Sequence, residues 1–232
     1  RGNTMNPEET NPKRRNLLAG LLGAGGILST GLLSLGSAAP SAAEHGGGGP
    51  RRRGPFTAAE LDTIIANAIA SANATNSPLR SIQGTPRSTK MHIAVVDRGG
   101  ALLRFASMED AWEGSRDIAI AKARTAAFFS SNENALTSRI VGDLSEPHAE
   151  DGSGGARPLW GIWASNQVGI TGGPGTRNGI ITFPGGIPLY KNGQLVGGIG
   201  VSGDGVDQDE TVALAGAAGF RPGPGVANPQ GI

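Results

Sequence analysis

"IPLYKNGQLVGGIGVSGDGVDQDE" (Ile187–Glu210) carries two signals that point to different folds. Its glycines at 198, 200 and 203 spell G-x-G-x-x-G, the turn that receives a pyrophosphate in dinucleotide-binding α/β proteins. Its Asn192-Gly193 pair separates two apolar runs, Ile187–Lys191 and Gln194–Val201, which is the strongest short hairpin signal. The hairpin reading prevails. It puts Gly198 and Gly200 inside a strand and not in a strand-to-helix turn. The helix expected next, Asp207–Ala218, starts with Asp207 as N-cap and Glu210 three residues on; with Asp209 that sets three carboxylates where a phosphate would sit. The glycines then serve close approach of strand backbone to a helix, a neighbouring subunit or a flat ligand.

Outward from that hairpin the other elements fall into place. "MHIAVVDRGGALLRFAS" (Met91–Ser107) is two apolar runs about an Asp97-Arg98-Gly99-Gly100 turn, a second hairpin. Alternation sends Met91, Ile93 and Val95 to one face of its first strand and His92, Ala94 and Val96 to the other. Thr57 and Glu60 form a capping box ahead of a helix whose Leu61, Ile64, Ile65, Ala68, Ile69 and Ala72 share one side. Ser115–Ser130 reads as an alanine-rich helix with Ser115 as N-cap, slim enough to lie close on a sheet. Asn76–Lys90, polar and proline-containing, reads as a loop, and Trp160–Val168 and Gly179–Phe183 each read as a strand. Strands joined by tight turns are antiparallel, so the fold class is α+β and not doubly wound α/β.

The flanks differ from this body. Residues 1–43 hold a basic stretch, the pair Arg14-Arg15, a charge-free run from Leu17 and small residues ending at Ala43, the pattern of a twin-arginine-type signal peptide. Glycines dilute the run, so no stable membrane anchor is expected, and the chain is expected to be periplasmic or secreted. Residues 44–55 read as a flexible Gly/Arg-rich linker, 56–220 as the folded domain, and 221–232 as a flexible tail. Beyond Ala43 basic and acidic side chains nearly balance, which gives no electrostatic footprint for nucleic acid. The absence of cysteine excludes thiol catalysis, thiolate-held zinc and iron–sulfur clusters. No G-x-S-x-G elbow is present. The acids Asp204, Asp207, Asp209 and Glu210 lack calcium-loop spacing and suit helix capping and the helix dipole better than a cation.

Two blocks, Ile93–Phe129 with "IAVVDRGGALLRFASMEDA" and "IAIAKARTAAFF", and Phe183–Ala218 with "FPGGIPLYKNGQLVGGIGVSGDGVDQDETVALAGA", resemble the GlcG/HbpS-type family. That resemblance implies a five-stranded antiparallel sheet with helices on its faces, similar to profilin. It also implies haem or iron as ligand, homo-oligomeric assembly and, in some members, haem degradation. The segments 76–89 and 144–167 look like insertions relative to short members.

No axial ligand transfers from the family, so candidates rest on residue chemistry. For a haem cofactor they are His92 as an imidazole donor, Tyr190 as a phenolate, Met108 as a thioether over the ring, and Arg104 as partner of a propionate. For iron they are His148 with Glu146 and Glu150. Lys122 and Arg124, two apart on one helix, point to different sides, and no partner for either is evident. Two other readings stay open: an enzyme or accessory handling a small organic acid through Arg104 or Lys122, and a non-catalytic sensor or interaction module using Trp160 and Trp163. Whether the chain is an enzyme is left undecided.

Overall fold

The computed structural model describes residues 54–145 and 179–232. Helix α1 (Ala58–Ala74) starts as the capping box dictates: the Thr57 amide donates to Glu60 Oε2 at 2.7 Å and the Glu60 amide to Thr57 Oγ1 at 3.2 Å. Strands β1 (Asn76–Ile82) and β2 (Thr85–Ser88) form a two-stranded antiparallel ribbon. Then come β3 (His92–Asp97), β4 (Leu102–Ser107), α2 (Arg116–Phe129), α3 (Ser138–Ser145), β5 (Gly186–Lys191), β6 (Gln194–Ser202) and α4 (Val206–Gly216). The main sheet has the order β4-β3-β6-β5 and is antiparallel throughout.

The α+β class therefore holds, with two sheets of two and four strands among the described residues in place of one five-stranded sheet. Gly179–Phe183 is not a strand. Its backbone is bonded to hydroxyls: Thr125 Oγ1 donates to the Ile181 carbonyl and accepts from the Ile181 amide, and Ser138 Oγ donates to the Phe183 carbonyl. Trp160–Val168 lies outside the described residues. Asn76–Lys90 is the ribbon and not a loop; prolines 78 and 86 are tolerated because a two-stranded ribbon has free outer edges.

Alternation along β3 and β6 builds two different layers. On one face Met91, Ile93, Val95, Ile199 and Val201 pack with Ile187 and Leu189 of β5 against Leu61, Ile64, Ala68 and Ala72 of α1 and Val212 and Ala213 of α4. On the other, Ala94 and Val96 meet Ala119, Ile120, Ala123 and Ala127 of α2. Here the glycines have their role. A Cβ on Gly200 would lie 2.0 Å from the Ala119 carbonyl oxygen, and one on Gly198 would lie 2.4 Å from that of Ala123. They let α2 sit directly on β6. The turn at Asn192-Gly193 has positive φ at both residues, 53° and 74°, as a two-residue hairpin requires.

Three local expectations change. Gly205, not Asp207, is the N-cap of α4, and Asp207 and Glu210 form no capping box because both reach Arg139 of α3, at 2.6 and 2.7 Å. Ser115 makes no side-chain cap; a short 3-10 turn, Glu113–Ser115, feeds α2 instead. The segment 221–232, expected to be flexible, is held: Ala227 exchanges backbone hydrogen bonds with Glu133 and Ala135, and Ile232 packs on the core. No helix among the described residues is long and apolar enough to cross a membrane.

Candidate functional site

Past the end of β6 the two helical layers meet. Lys122 of α2 reaches over the strand end, and its Nζ lies 2.7 Å from Asp209 Oδ2 of α4 while donating to the Val201 carbonyl at 3.1 Å. The side chains are 1% and 2% exposed. Burial strips water from both groups, lowering the Lys122 pKa and raising that of Asp209; their mutual attraction opposes each shift without cancelling it. The Asp204 amide adds a hydrogen bond to Asp209 Oδ1.

This pair lies at the bottom of a cavity of about 460 Å³. Leu79, Trp112, Ile118, Phe183 and Val206 make apolar walls, Ser115 and Ser202 add hydroxyls, and Arg80 and Asp204 are the other charged groups lining it. Local bonds hold the walls. Ser77 Oγ donates to Asp204 at 2.6 Å and accepts from the Leu79 and Arg80 amides, which ties the ribbon to the start of α4. Arg80 approaches Asp204 at 3.6 Å and donates to the Asp110 carbonyl. On the far side of Leu79 and Arg80 a second hollow, about 410 Å³, is lined by Ile82, Arg87, Lys90 and Asp110 among others.

The four residues expected to hold haem are not brought together. His92 is 1% exposed and stacks on Phe105. Its Nε2 lies 3.0 Å from the Trp112 carbonyl, which can only accept, so Nε2 carries a proton, and Nδ1 is hydrogen-bonded with Ser107 Oγ at 2.9 Å. With both nitrogens engaged, His92 anchors the turn that presents Trp112. Arg104 points to the opposite face of the sheet, where it pairs with Asp62 at 2.9 Å while its buried Nε has no partner. Met108 packs on the α1 core. Tyr190, on edge strand β5, donates its hydroxyl to the Ser131 carbonyl at 2.8 Å, and burial raises its pKa, away from phenolate. His148, Glu146 and Glu150 lie outside the described residues, and among the described residues no cluster of three potential metal ligands exists.

The sequence reading missed the partner of Lys122. A lysine alone among Ala119, Ala121 and Ala123 signals a buried charge that needs an acid, but spacing cannot say which one, because Asp209 lies 87 residues away. Arg124, whose partner the sequence did not reveal either, donates Nε–H to the Gly100 carbonyl at 2.9 Å.

The comparisons with known proteins agree with this architecture. A family model described as haem degrading protein HbpS-like matches residues 56–218. An uncharacterised 15.0 kDa protein from the dhaT-dhaS intergenic region of Citrobacter freundii is 33% identical over 120 residues, 52% of this chain and 68% of that protein. Among solved structures, Klebsiella pneumoniae ORFY is similar with TM-score 0.51 and 26% identity over 70% of this chain and 88% of that one. A PduOC:haem complex is similar with TM-score 0.51 and 24% identity over 72% of this chain and 96% of that one, a likeness of fold. Because that family model spans residues 56–218, more than half of the chain, the chain belongs to the HbpS-like haem-degrading protein family.

Proposed function

We propose that this protein is an exported haem-binding protein, assembled as a homo-oligomer, whose ligand seats in the cavity between the β1–β2 ribbon, the Trp112 turn and the start of α4. The observation that carries the reading is the clustering of large exposed apolar side chains at one opening: Leu79, Trp112, Phe183 and Val206 are 73%, 64%, 48% and 43% exposed. Singly such residues are ordinary; gathered about one concavity they suit a flat apolar ligand. Arg80, Arg87 and Lys90 beside it suit propionate carboxylates.

The described lining fits the macrocycle and its acids but contains no histidine, methionine or tyrosine, so no axial donor is assigned. When bound, haem supplies the iron at which oxygen or peroxide chemistry takes place. The chain's own part is to exclude water with the apolar walls and to orient the propionates through Arg80. Export rests on the Arg14-Arg15 segment, with Glu44 as the first residue of the mature chain.

Haemin titrated into the purified protein tests the reading. Expected is a Soret band that saturates at a fixed stoichiometry, with Arg80→Ala weakening binding about tenfold, roughly 1.4 kcal/mol, and Arg104→Ala leaving it unchanged. A band that never saturates abandons the reading. Terminal sequencing of protein recovered outside the cytoplasm should begin at Glu44.

A further inference from the structure

Lys122 is used by neither the core nor the haem reading. A buried ion pair is a poor source of stability, because desolvating two charges costs about as much as their attraction returns. This one lies at the bottom of a cavity, which is where perturbed ionisable groups accompany chemistry. Of the chain's lysines, Lys191 is half-exposed and paired with Glu60, and Lys90 lines the basic hollow; Lys122 alone among the described ones is fully buried.

We propose that Lys122 is a reactive amine that forms a Schiff base with a small carbonyl compound, an aldehyde or α-oxo acid, admitted to this cavity. The geometry supplies the parts. Asp209 Oδ2, at 2.7 Å, takes a proton from Nζ. The freed lone pair adds to the carbonyl carbon; the former carbonyl oxygen receives that proton back from Asp209 and a second from the nitrogen and leaves as water, so that a C=N bond forms with one proton still on nitrogen and no net oxidation or reduction. The iminium proton that remains faces the Asp209 carboxylate. Burial favours the neutral amine that attack requires. An α-oxo acid adds a carboxylate complementary to Arg80, which lines the same cavity.

The test uses the full chain without haem, so it stands or falls apart from the haemin titration. The protein is incubated with glyoxylate and sodium cyanoborohydride at neutral pH, then digested and mapped by mass spectrometry. The expected result is a carboxymethyl group on Lys122 at several times the yield on Lys90 and Lys191, with the preference erased when the same reaction is run in concentrated urea. Labelling of Lys122 no greater than that of the other two lysines overturns the proposal. So does a preference that survives unfolding, since the cavity would then not be its source.

Discussion

The two faces of the main sheet solve different problems with the same strands. The α1 and α4 face is a layer of branched aliphatic side chains, Ile64, Ile93, Val95, Ile187, Leu189 and Ile199, all fully buried. The α2 face is thin: alanines and glycines bring helix and strand backbones together, and the same helix buries Lys122, Arg124 and Thr125. Side-chain volume stabilises the first. The second gives up volume, and what it gains is a helix close enough for a lysine to pass the strand end and meet Asp209 under the cavity. The difference separates the part of the molecule that holds it folded from the part that lines the cavity.

The sharpest way to break this contrast is to cut the polar pair. Lys122→Met leaves Asp209 buried without its partner and should cost about 3–5 kcal/mol in urea denaturation. Replacing both residues, Lys122→Met with Asp209→Leu, should recover most of that loss. If the single substitution is nearly neutral, the two groups are not coupled and the pair loses its standing as a unit.

Neighbouring residues on opposite faces give the next test. Ile199→Ala empties the aliphatic layer and should cost about 2–5 kcal/mol. Gly200→Ala adds one methyl on the other side, where it meets helix backbone at 2.0 and 2.4 Å; it should cost about 3 kcal/mol, the upper end for overpacking. A harmless alanine at 200 would mean that α2 does not rest on the glycines.

The contrast was partly legible beforehand. Alternation in Met91–Val96, the Asn192-Gly193 turn and the capping box at Thr57 are local rules, and each acts over a few residues with little competition. The β1–β2 ribbon was not legible, because Pro78 and Pro86 mask a strand that pairs on one side only. The cavity was least legible of all. Its walls come from the ribbon, the Trp112 turn, α2, Phe183 and α4, and no pattern within any one segment records that they meet. Candidates chosen by side-chain type, His92, Arg104, Met108 and Tyr190, were scattered by the topology: β4 and β5 are opposite edges of the sheet, and Arg104 and His92 take opposite faces.

A second ion pair sharpens the comparison at the smallest scale. Glu60, in the first turn of α1, meets Lys191 of β5 at 2.7 Å, but on the open side of the aliphatic layer, with both side chains partly exposed. Hydrogen bonds from Lys191 and from the Thr57 amide lower the Glu60 pKa from 4.5 to about 2. The folded state therefore binds this proton less readily than the unfolded chain does. The contribution is complete above pH 4.5 and is lost as pH falls toward about 2. Glu60→Gln keeps one oxygen for the Thr57 amide and removes the charge together with one of the two oxygens that face Lys191. Melting temperatures of the two proteins should differ modestly at neutral pH, less at high salt, and converge as the pH falls through that window. A gap that stays constant down to the lowest pH would show that the carboxylate charge contributes nothing there. The exposed pair would then be an ornament of the α1 face, and of these two pairs the buried one under the cavity would be the one left to couple ionisation to the fold.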